Sequence, residues 1–185
     1  MTPTLCDLIE TCLTELRQDP KKSKLALLET GSIRSADLRH RDGDGWSTIA
    51  LATDARLNHS TATSIDLDTR TADAVLASHG LHDCVQLVQA DSVDTLASYL
   101  NEQKKFDFIL LDTANDAQLT LHEYVIARHL IAKGGIILID DVEPGSRDVV
   151  KGNQVVFYLD RMQDDFQIVK RSKAHVSTGV AVVRF

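Results

Sequence analysis

The sequence predicts an α/β fold in which helices cover both faces of a seven-stranded, mostly parallel sheet. Three observations support this prediction. Short apolar, β-branched runs alternate with stretches of helical patterning along most of the chain. Several of these runs are almost wholly apolar, as expected for strands that are buried on both faces. The last two runs are too close together for a parallel crossover, so they should form an antiparallel hairpin.

The predicted elements follow one another without a linker or a repeat. An accessory helix, Leu5–Leu16, lies within an N-terminal extension of residues 1–20. Five parallel strands follow, at Leu25–Thr30, Thr63–Asp68, Val85–Asp91, Phe106–Asp112 and Gly135–Asp141. The remaining helices are Trp46–Arg56, Thr69–His79, Ser92–Gln103, Asp116–Ala132 and Asp148–Met162. Phe166–Arg171 and Val180–Phe185 form the hairpin. Residues 1–185 are therefore predicted to be a single domain.

Length and composition restrict the class of protein. A chain of 185 residues can bury a full core without a metal or a disulfide. The net charge of −7 argues against nucleic-acid binding, which would require a basic stripe. Three cysteines without metal-ligand spacing indicate a reducing compartment. The sequence shows neither a signal peptide nor an apolar run long enough to span a membrane, so we expect a cytoplasmic protein.

Acidic residues stand at the end of every predicted parallel strand. They are Glu29, Asp66, Asp91, Asp112 and the pair Asp140 and Asp141. In an open α/β sheet, ligands bind at the carboxyl ends of the strands, where the strand order reverses. Any single aspartate among these has an equally good interpretation as a helix cap or a turn residue. The whole set predicts a binding site.

Two of these aspartates suit a nucleoside. A carboxylate has several acceptor positions, so Asp66 can accept both hydroxyls of a ribose. Dinucleotide-binding folds place an acid about 20 residues after their glycine loop, and Gly45 precedes Asp66 at a similar interval. Asp91 follows the third strand, where it can accept a hydrogen bond from the exocyclic amine of adenine.

Small residues near the first strand suit close approach to a ligand. Gly31 and Gly45 would let the backbone come close to it. Ser47 and Thr48 begin a helix whose N-terminus can receive a carboxylate.

Five segments together resemble the class I S-adenosylmethionine (SAM) dependent methyltransferases. They are Leu28–Gly31 with Gly43–Thr48 (first motif), Ser64–Asp68 (ribose motif), Gln89–Ser92 (adenine motif), Phe106–Asp112 (fourth strand) and Lys133–Ile137 with Asp140–Asp141 (glycine turn and fifth strand). Within the class, the chain is most similar to the small-molecule O-methyltransferase-like branch. The resemblance covers about residues 25–141 and includes the terminal hairpin.

This resemblance implies a three-layer, Rossmann-like methyltransferase fold and SAM as the cofactor. It also implies transfer of the methyl group to a hydroxyl of a small-molecule acceptor. The implied cofactor-binding residues are Glu29, Gly31, Gly45, Ser47, Thr48, Asp66, Leu67, Asp91, Ser92 and Asp112.

The acidic residues of the fourth and fifth strands resemble the metal site of the metal-dependent branch. Asp112, Asp140 and Asp141 are oxygen ligands that would suit Mg²⁺ or another hard divalent cation. Three adjacent carboxylates repel one another unless a cation or protons neutralise them. Asp112 is also the predicted catalytic residue. In the alternative interpretation, Asp140 and Asp141 cap the following turn and Asp112 binds only the cofactor.

The sequence departs from the family pattern at two places. Residues 32–42 separate Gly31 from the rest of the first motif, and they carry Arg34, Arg39 and Arg41, which suit either a lid or a solvated surface loop. Asn115 stands where metal-dependent relatives carry a lysine or histidine base.

Two other functions compete with the methyltransferase interpretation. A nicotinamide-dependent oxidoreductase would need a G-x-G-x-x-G loop directly after the first strand, and this chain does not have one. A SAM-binding protein without catalytic activity, or one that acts only with a partner or as a homodimer, is compatible with the short chain.

Overall fold

A computed structural model describes residues 2–40, 46–173 and 176–185, with the backbone alone at residues 40, 172, 173, 176 and 177. The strands are β1 Ala26–Thr30, β2 Thr61–Asp66, β3 Gln86–Gln89, β4 Phe106–Leu111, β5 Ile131–Ile139, β6 Asp165–Lys173 and β7 Val176–Arg184. The helices are α1 Leu5–Leu16, α2 Ser47–Asn58, α3 Arg70–Ser78, α4 Ser92–Asn101, α5 Ala117–Leu130 and α6 Gly152–Met162. Short 3-10 turns lie at Leu38–His40 and His82–Cys84.

The seven strands form one sheet in the order β3-β2-β1-β4-β5-β7-β6. The pairs among β1 to β5 are parallel, and β7 runs antiparallel to both β5 and β6. The predicted fold is therefore confirmed, including the antiparallel last strand.

Alternate residues of the central strands enter two separate apolar layers. Leu27 and Leu110 pack in the layer that contains α1 and α2. Their neighbours Leu28 and Ile109 pack in the opposite layer, against α4, α5 and α6. Because successive side chains of a strand point to opposite faces, a run without polar residues can fill both layers.

The accessory helix α1 is an integral part of this core. Thr4 and Asp7 form a reciprocal capping box at its start. Its apolar stripe is buried, and Glu15 near its end accepts from Arg184 of β7 at 2.8 Å. Burial raises the pKa of Cys12 within this stripe to about 11, so that cysteine behaves as a small apolar residue.

Helix α6 begins at Gly152, four residues later than the sequence predicts. The loop before α6 is anchored by Asn115, whose side-chain oxygen accepts from the backbone N–H groups of Val150 and Lys151 at 3.0 and 3.1 Å. In the part of the chain described here, no helix is long and apolar enough to cross a membrane.

Candidate active site

The strand order reverses between β1 and β4, and the carboxyl ends of these strands begin the site. Gly31 follows β1 with a φ of 85°. A Cβ atom at this position would lie 2.1 Å from the carbonyl oxygen of Asp112. The backbones after β1 and β4 therefore approach each other at a distance that only glycine allows.

A cleft of about 200 Å³ opens beside this contact, over the ends of β1, β2 and β3. Six of the ten residues predicted to bind the cofactor line it: Gly31, Asp66, Leu67, Asp91, Ser92 and Asp112. The exposed side chain of Arg34, from the segment between the two halves of the first motif, lies on its wall.

The carboxylate of Asp66 is fixed from one side. Its Oδ2 accepts from the backbone N–H of Ser32 at 2.7 Å and from the Ser32 hydroxyl at 2.9 Å. Its Oδ1 accepts from the backbone N–H of Asp68 at 3.3 Å. All three donors are uncharged, and the carboxylate still has acceptor positions for a ligand.

Asp91 is the N-cap of α4, where its Oδ1 accepts from the backbone N–H of Asp94 at 3.0 Å. The structural interpretation of this residue is therefore correct. It does not exclude a ligand contact, because Asp91 also lines the cleft and a carboxylate has a second oxygen.

The other predicted cofactor residues that the structure describes lie behind the cleft. Glu29 is fully buried, and its Oε1 accepts from the hydroxyls of Thr48 at 2.5 Å and Ser64 at 2.7 Å. Burial raises the pKa of Glu29 to about 7, against the opposing effect of these hydrogen bonds. Ser47 is buried beside Thr48 at the start of α2. Gly45 lies outside the described residues.

The three acidic residues of β4 and β5 do come together. Carboxylate oxygens of Asp112, Asp140 and Asp141 lie within 4.8 Å of one another. Two buried cations accompany them. Lys151 Nζ lies 2.7 Å from Asp112 Oδ1, and an Arg171 amino group lies 2.5 Å from Asp140 Oδ2 and 3.4 Å from Asp141 Oδ1. We call these five residues the ion-pair cluster.

Residues 42–142, more than half of the 185 residues, match a family described as methyltransferase domain. The chain belongs to this family. No curated protein sequence matches the chain.

Solved structures of methyltransferases share the fold. An O-methyltransferase from Bacillus cereus in complex with SAH has a TM-score of 0.68 at 19% identity, over 95% of this chain and 80% of that one. TomG, an O-methyltransferase from Streptomyces achromogenes solved with SAM, has a TM-score of 0.67 at 16% identity, over 95% and 79% of the two chains. MycE, from the mycinamycin biosynthetic pathway and solved with Mg and SAH, has a TM-score of 0.60 at 15% identity, over 92% and 47%.

Sequence reasoning missed both cations of the cluster. Lys151 and Arg171 are 1% and 2% exposed, which is rare for such side chains unless they are paired. They follow their carboxylate partners by 39 and 31 residues. Neither position stands out in the sequence, since Lys151 simply precedes a glycine and Arg171 follows another cation, Lys170.

Glu123 on α5 was also missed. This carboxyl is fully buried, and its Oε2 accepts from the Thr113 hydroxyl at 2.8 Å. Burial raises its pKa, while hydrogen bonds from Ser92 and Thr113 and the charge of Lys151 act in the opposite direction. Glu123 thus holds the loop after β4 from behind the cleft.

A divalent cation fits the ion-pair cluster poorly. Lys151 and Arg171 already pair with the three carboxylates, and an added ion would lie close to two positive charges. Among the described residues, Asp140 Oδ1 is the one oxygen of the cluster that is buried without a hydrogen-bond partner. Each of the three carboxylates already has one oxygen paired with a cation, whereas Mg²⁺ and Ca²⁺ require six or more oxygen ligands. The metal site stays a prediction of the sequence, and this geometry argues against it.

Proposed function

We propose that this member of the methyltransferase domain family binds SAM in the cleft over β1–β3 and transfers its methyl group to a hydroxyl of a small molecule. One observation carries the proposal. Gly31, Asp66 and Asp91 stand at the ends of three neighbouring strands and all line one cleft at the switch point of the sheet. The solved methyltransferases of the same fold that contain SAM or SAH support it.

The cleft residues would divide the nucleoside between them. Asp66, which Ser32 holds in place, would accept the ribose hydroxyls, and Asp91 would accept from the adenine amine. Leu67 is 71% exposed between them, and its side chain offers an apolar surface to the base. Covering such an exposed apolar side chain by the ligand would add to affinity.

The main requirement of the reaction is alignment of the acceptor with the methyl group. SAM supplies a methyl group on a positively charged sulfur, so transfer forms the oxygen–carbon bond as the carbon–sulfur bond breaks. SAH leaves with the electron pair of that bond, and the proton of the acceptor hydroxyl passes to water. The protein has to place the acceptor oxygen in line with that bond. Asp112 lies on the cleft wall beside Gly31 and is the residue best placed to orient the hydroxyl by accepting its hydrogen bond.

Calorimetric titration with SAM and SAH tests the cofactor. We expect Asp66→Asn to weaken binding by about 1–3 kcal/mol, the usual loss for a hydrogen bond to a charged group. Asp68→Asn is the matched control, because Asp68 lies two residues away and pairs with exposed Arg70. Binding of NADH without binding of SAM would contradict the proposal.

Transfer itself is tested on a panel of hydroxylated small molecules with radiolabelled SAM. Label in at least one acceptor, and its absence with Asp112→Asn, is the expected result. A protein that binds SAM but labels no acceptor would favour the non-catalytic alternative.

A further inference from the structure

The ion-pair cluster carries nearly balanced charge without any added ion. With every group ionised, Asp112, Asp140 and Asp141 contribute three negative charges, and Lys151 and Arg171 contribute two positive ones. Repulsion among the three carboxylates was the physical reason to expect a metal in this place. The cluster removes most of that repulsion with its own side chains.

Contacts of the neighbouring backbone position Lys151 in the cluster. Asn115 holds the loop before α6 through its bonds to the N–H groups of Val150 and Lys151 and a third bond, from its Nδ2 to the carbonyl of Asp148 at 2.8 Å. Gly152 then packs so closely that a Cβ would lie 2.7 Å from the Cα of Val142. The residue between these two contacts is Lys151, whose Nζ donates to Asp112 at 2.7 Å and to the Thr113 carbonyl at 3.3 Å.

Close backbone packing positions Arg171 in a similar way. It lies in β6 opposite Thr178 of β7, and the next residue of β7 is Gly179. A Cβ on Gly179 would lie 2.4 Å from the carbonyl oxygen of Val142. Both close approaches therefore converge on Val142, the residue that follows Asp141, and together they bring a helix and a strand against the end of β5.

We propose that Lys151 and Arg171 occupy the place of a divalent cation, so that this enzyme transfers methyl groups without a metal. Lys151 is a positioning residue: it fixes the Asp112 carboxylate on the cleft wall from behind, and its own buried ammonium does not line the cleft. The inference rests on the proposed function for the reaction, but its statement about metal binding can be tested separately.

The direct test is titration of the protein with Mn²⁺, followed by calorimetry and by the EPR signal of free Mn²⁺. The wild type should take up no stoichiometric Mn²⁺, because Lys151 and Arg171 already neutralise the carboxylates. Lys151→Ala should gain one Mn²⁺ site, and adding Asp141→Asn should remove it again. Lys133→Ala, at an exposed position, is the matched control and should behave as the wild type.

Folding of each variant is checked by circular dichroism before titration. Lys151→Gln retains a hydrogen-bond donor for Asp112 and replaces the alanine variant if that variant does not fold. One Mn²⁺ bound to the wild type and lost with Asp141→Asn would overturn the inference. A folded Lys151 variant that takes up no Mn²⁺ would also overturn it, because Lys151 would then not be the group that excludes the ion.

SAM titration of the same samples separates this inference from the proposed function. SAM binding together with Mn²⁺ binding to the wild type leaves the function standing and rejects the metal-free cluster. Failure of the wild type to bind SAM rejects the function, while the Mn²⁺ result still reports on the cluster. With an acceptor in hand, wild-type methyl transfer should be unchanged by EDTA and by added Mg²⁺.

Discussion

The two halves of the sheet's carboxyl edge carry the same residue type and use it differently. Over β2 and β3, Asp66 and Asp91 accept hydrogen bonds from uncharged groups and line an open cleft. Over β4 and β5, Asp112 and Asp140 pair with ammonium and guanidinium groups that are almost fully buried. An aspartate at a strand end thus becomes a group on an open cleft, an ion-pair partner or, at Asp112, both, according to what the fold places opposite it.

The difference follows from the kind of partner that each aspartate meets. Asp66 is held by Ser32, a residue of the loop after the neighbouring strand, and Asp91 by the helix that it caps. Asp112 and Asp140 are held by the charged side chains of Lys151 and Arg171. Ser32 lies 34 residues before Asp66 and Arg171 lies 31 residues after Asp140, so both halves depend on long-range packing and differ in the charge of the partner.

The contact that joins the two halves should be the most sensitive position. At Gly31, alanine adds backbone strain at a φ of 85° and a clash with the Asp112 carbonyl. We expect Gly31→Ala to lower the free energy of unfolding by about 5 kcal/mol, as the sum of strain and overpacking. Urea unfolding followed by circular dichroism measures it.

Gly80→Ala separates strain from clash. Gly80 has a φ of 66°, but no atom lies within 4 Å of the added Cβ. The free energy of unfolding of this variant should fall by only about 1 kcal/mol. Equal losses at the two glycines would show that the β1–β4 contact is looser than the structure has it.

Removing a cation from the ion-pair cluster should lower the free energy of unfolding nearly as much. Arg171→Met leaves the buried carboxylate of Asp140 without its partner, and breaking a buried pair from one side costs about 4 kcal/mol. Arg70→Met is the control, because the pair of Arg70 with Asp68 is exposed to solvent. Unfolding by urea should be unchanged for this control. A small loss at Arg171 would mean that water or a proton compensates Asp140.

The sequence could predict the features that leave a local pattern in the chain. The alternation of apolar runs was sufficient for the sheet, its antiparallel end and the helices, because burial on two faces leaves a pattern in each strand. The start of α6 was placed too early, and the contact that anchors the loop before it comes from Asn115, 35 residues away, which leaves no local pattern. Lys151 and Arg171 were missed for a similar reason. Nothing in the local pattern of a buried cation distinguishes it from a surface lysine or arginine.

The buried carboxyl of Glu29 should make folding stability depend on pH. Its pKa is raised from 4.5 to about 7 by burial first, and the charge of Asp112 acts in the same direction. The folded protein therefore keeps this proton where the unfolded chain has lost it, so folding stability is lost as the pH rises from 4.5 to 7. The loss from this residue is about 3 kcal/mol.

Glu29→Gln should remove that part of the pH dependence, because a glutamine oxygen can still accept from Thr48 and Ser64. The measurement is the difference between the urea-unfolding curves of variant and wild type from pH 4.5 to 8, since Glu123 and Asp140 also have raised pKa values and remain in both proteins. Glu10→Gln, at an exposed position of α1, should follow the wild type. Parallel curves for Glu29→Gln and wild type would mean that water reaches Glu29.

Asp91 gives the smallest effect and the sharpest separation of a structural role from a binding role. Asparagine caps helices about as well as aspartate, so Asp91→Asn should leave the free energy of unfolding nearly unchanged. In this variant, however, the amide oxygen would accept from the N–H of Asp94, so the NH₂ group would face the adenine amine. Two donors would then meet, and no hydrogen bond could form between them. We expect SAH to bind about fivefold more weakly, or about 1 kcal/mol.

The comparison of SAH with its inosine analogue, which has an oxygen in place of that amine, isolates the contact. Wild-type protein should prefer SAH, and Asp91→Asn should lose or reverse the preference, because its NH₂ can donate to the analogue's oxygen. Asp94→Asn, in the same turn of α4, should keep the wild-type preference. If Asp91→Asn lowers stability but leaves the preference for SAH intact, Asp91 is a helix cap alone, and the open half of the edge would recognise adenine through other atoms of the cleft.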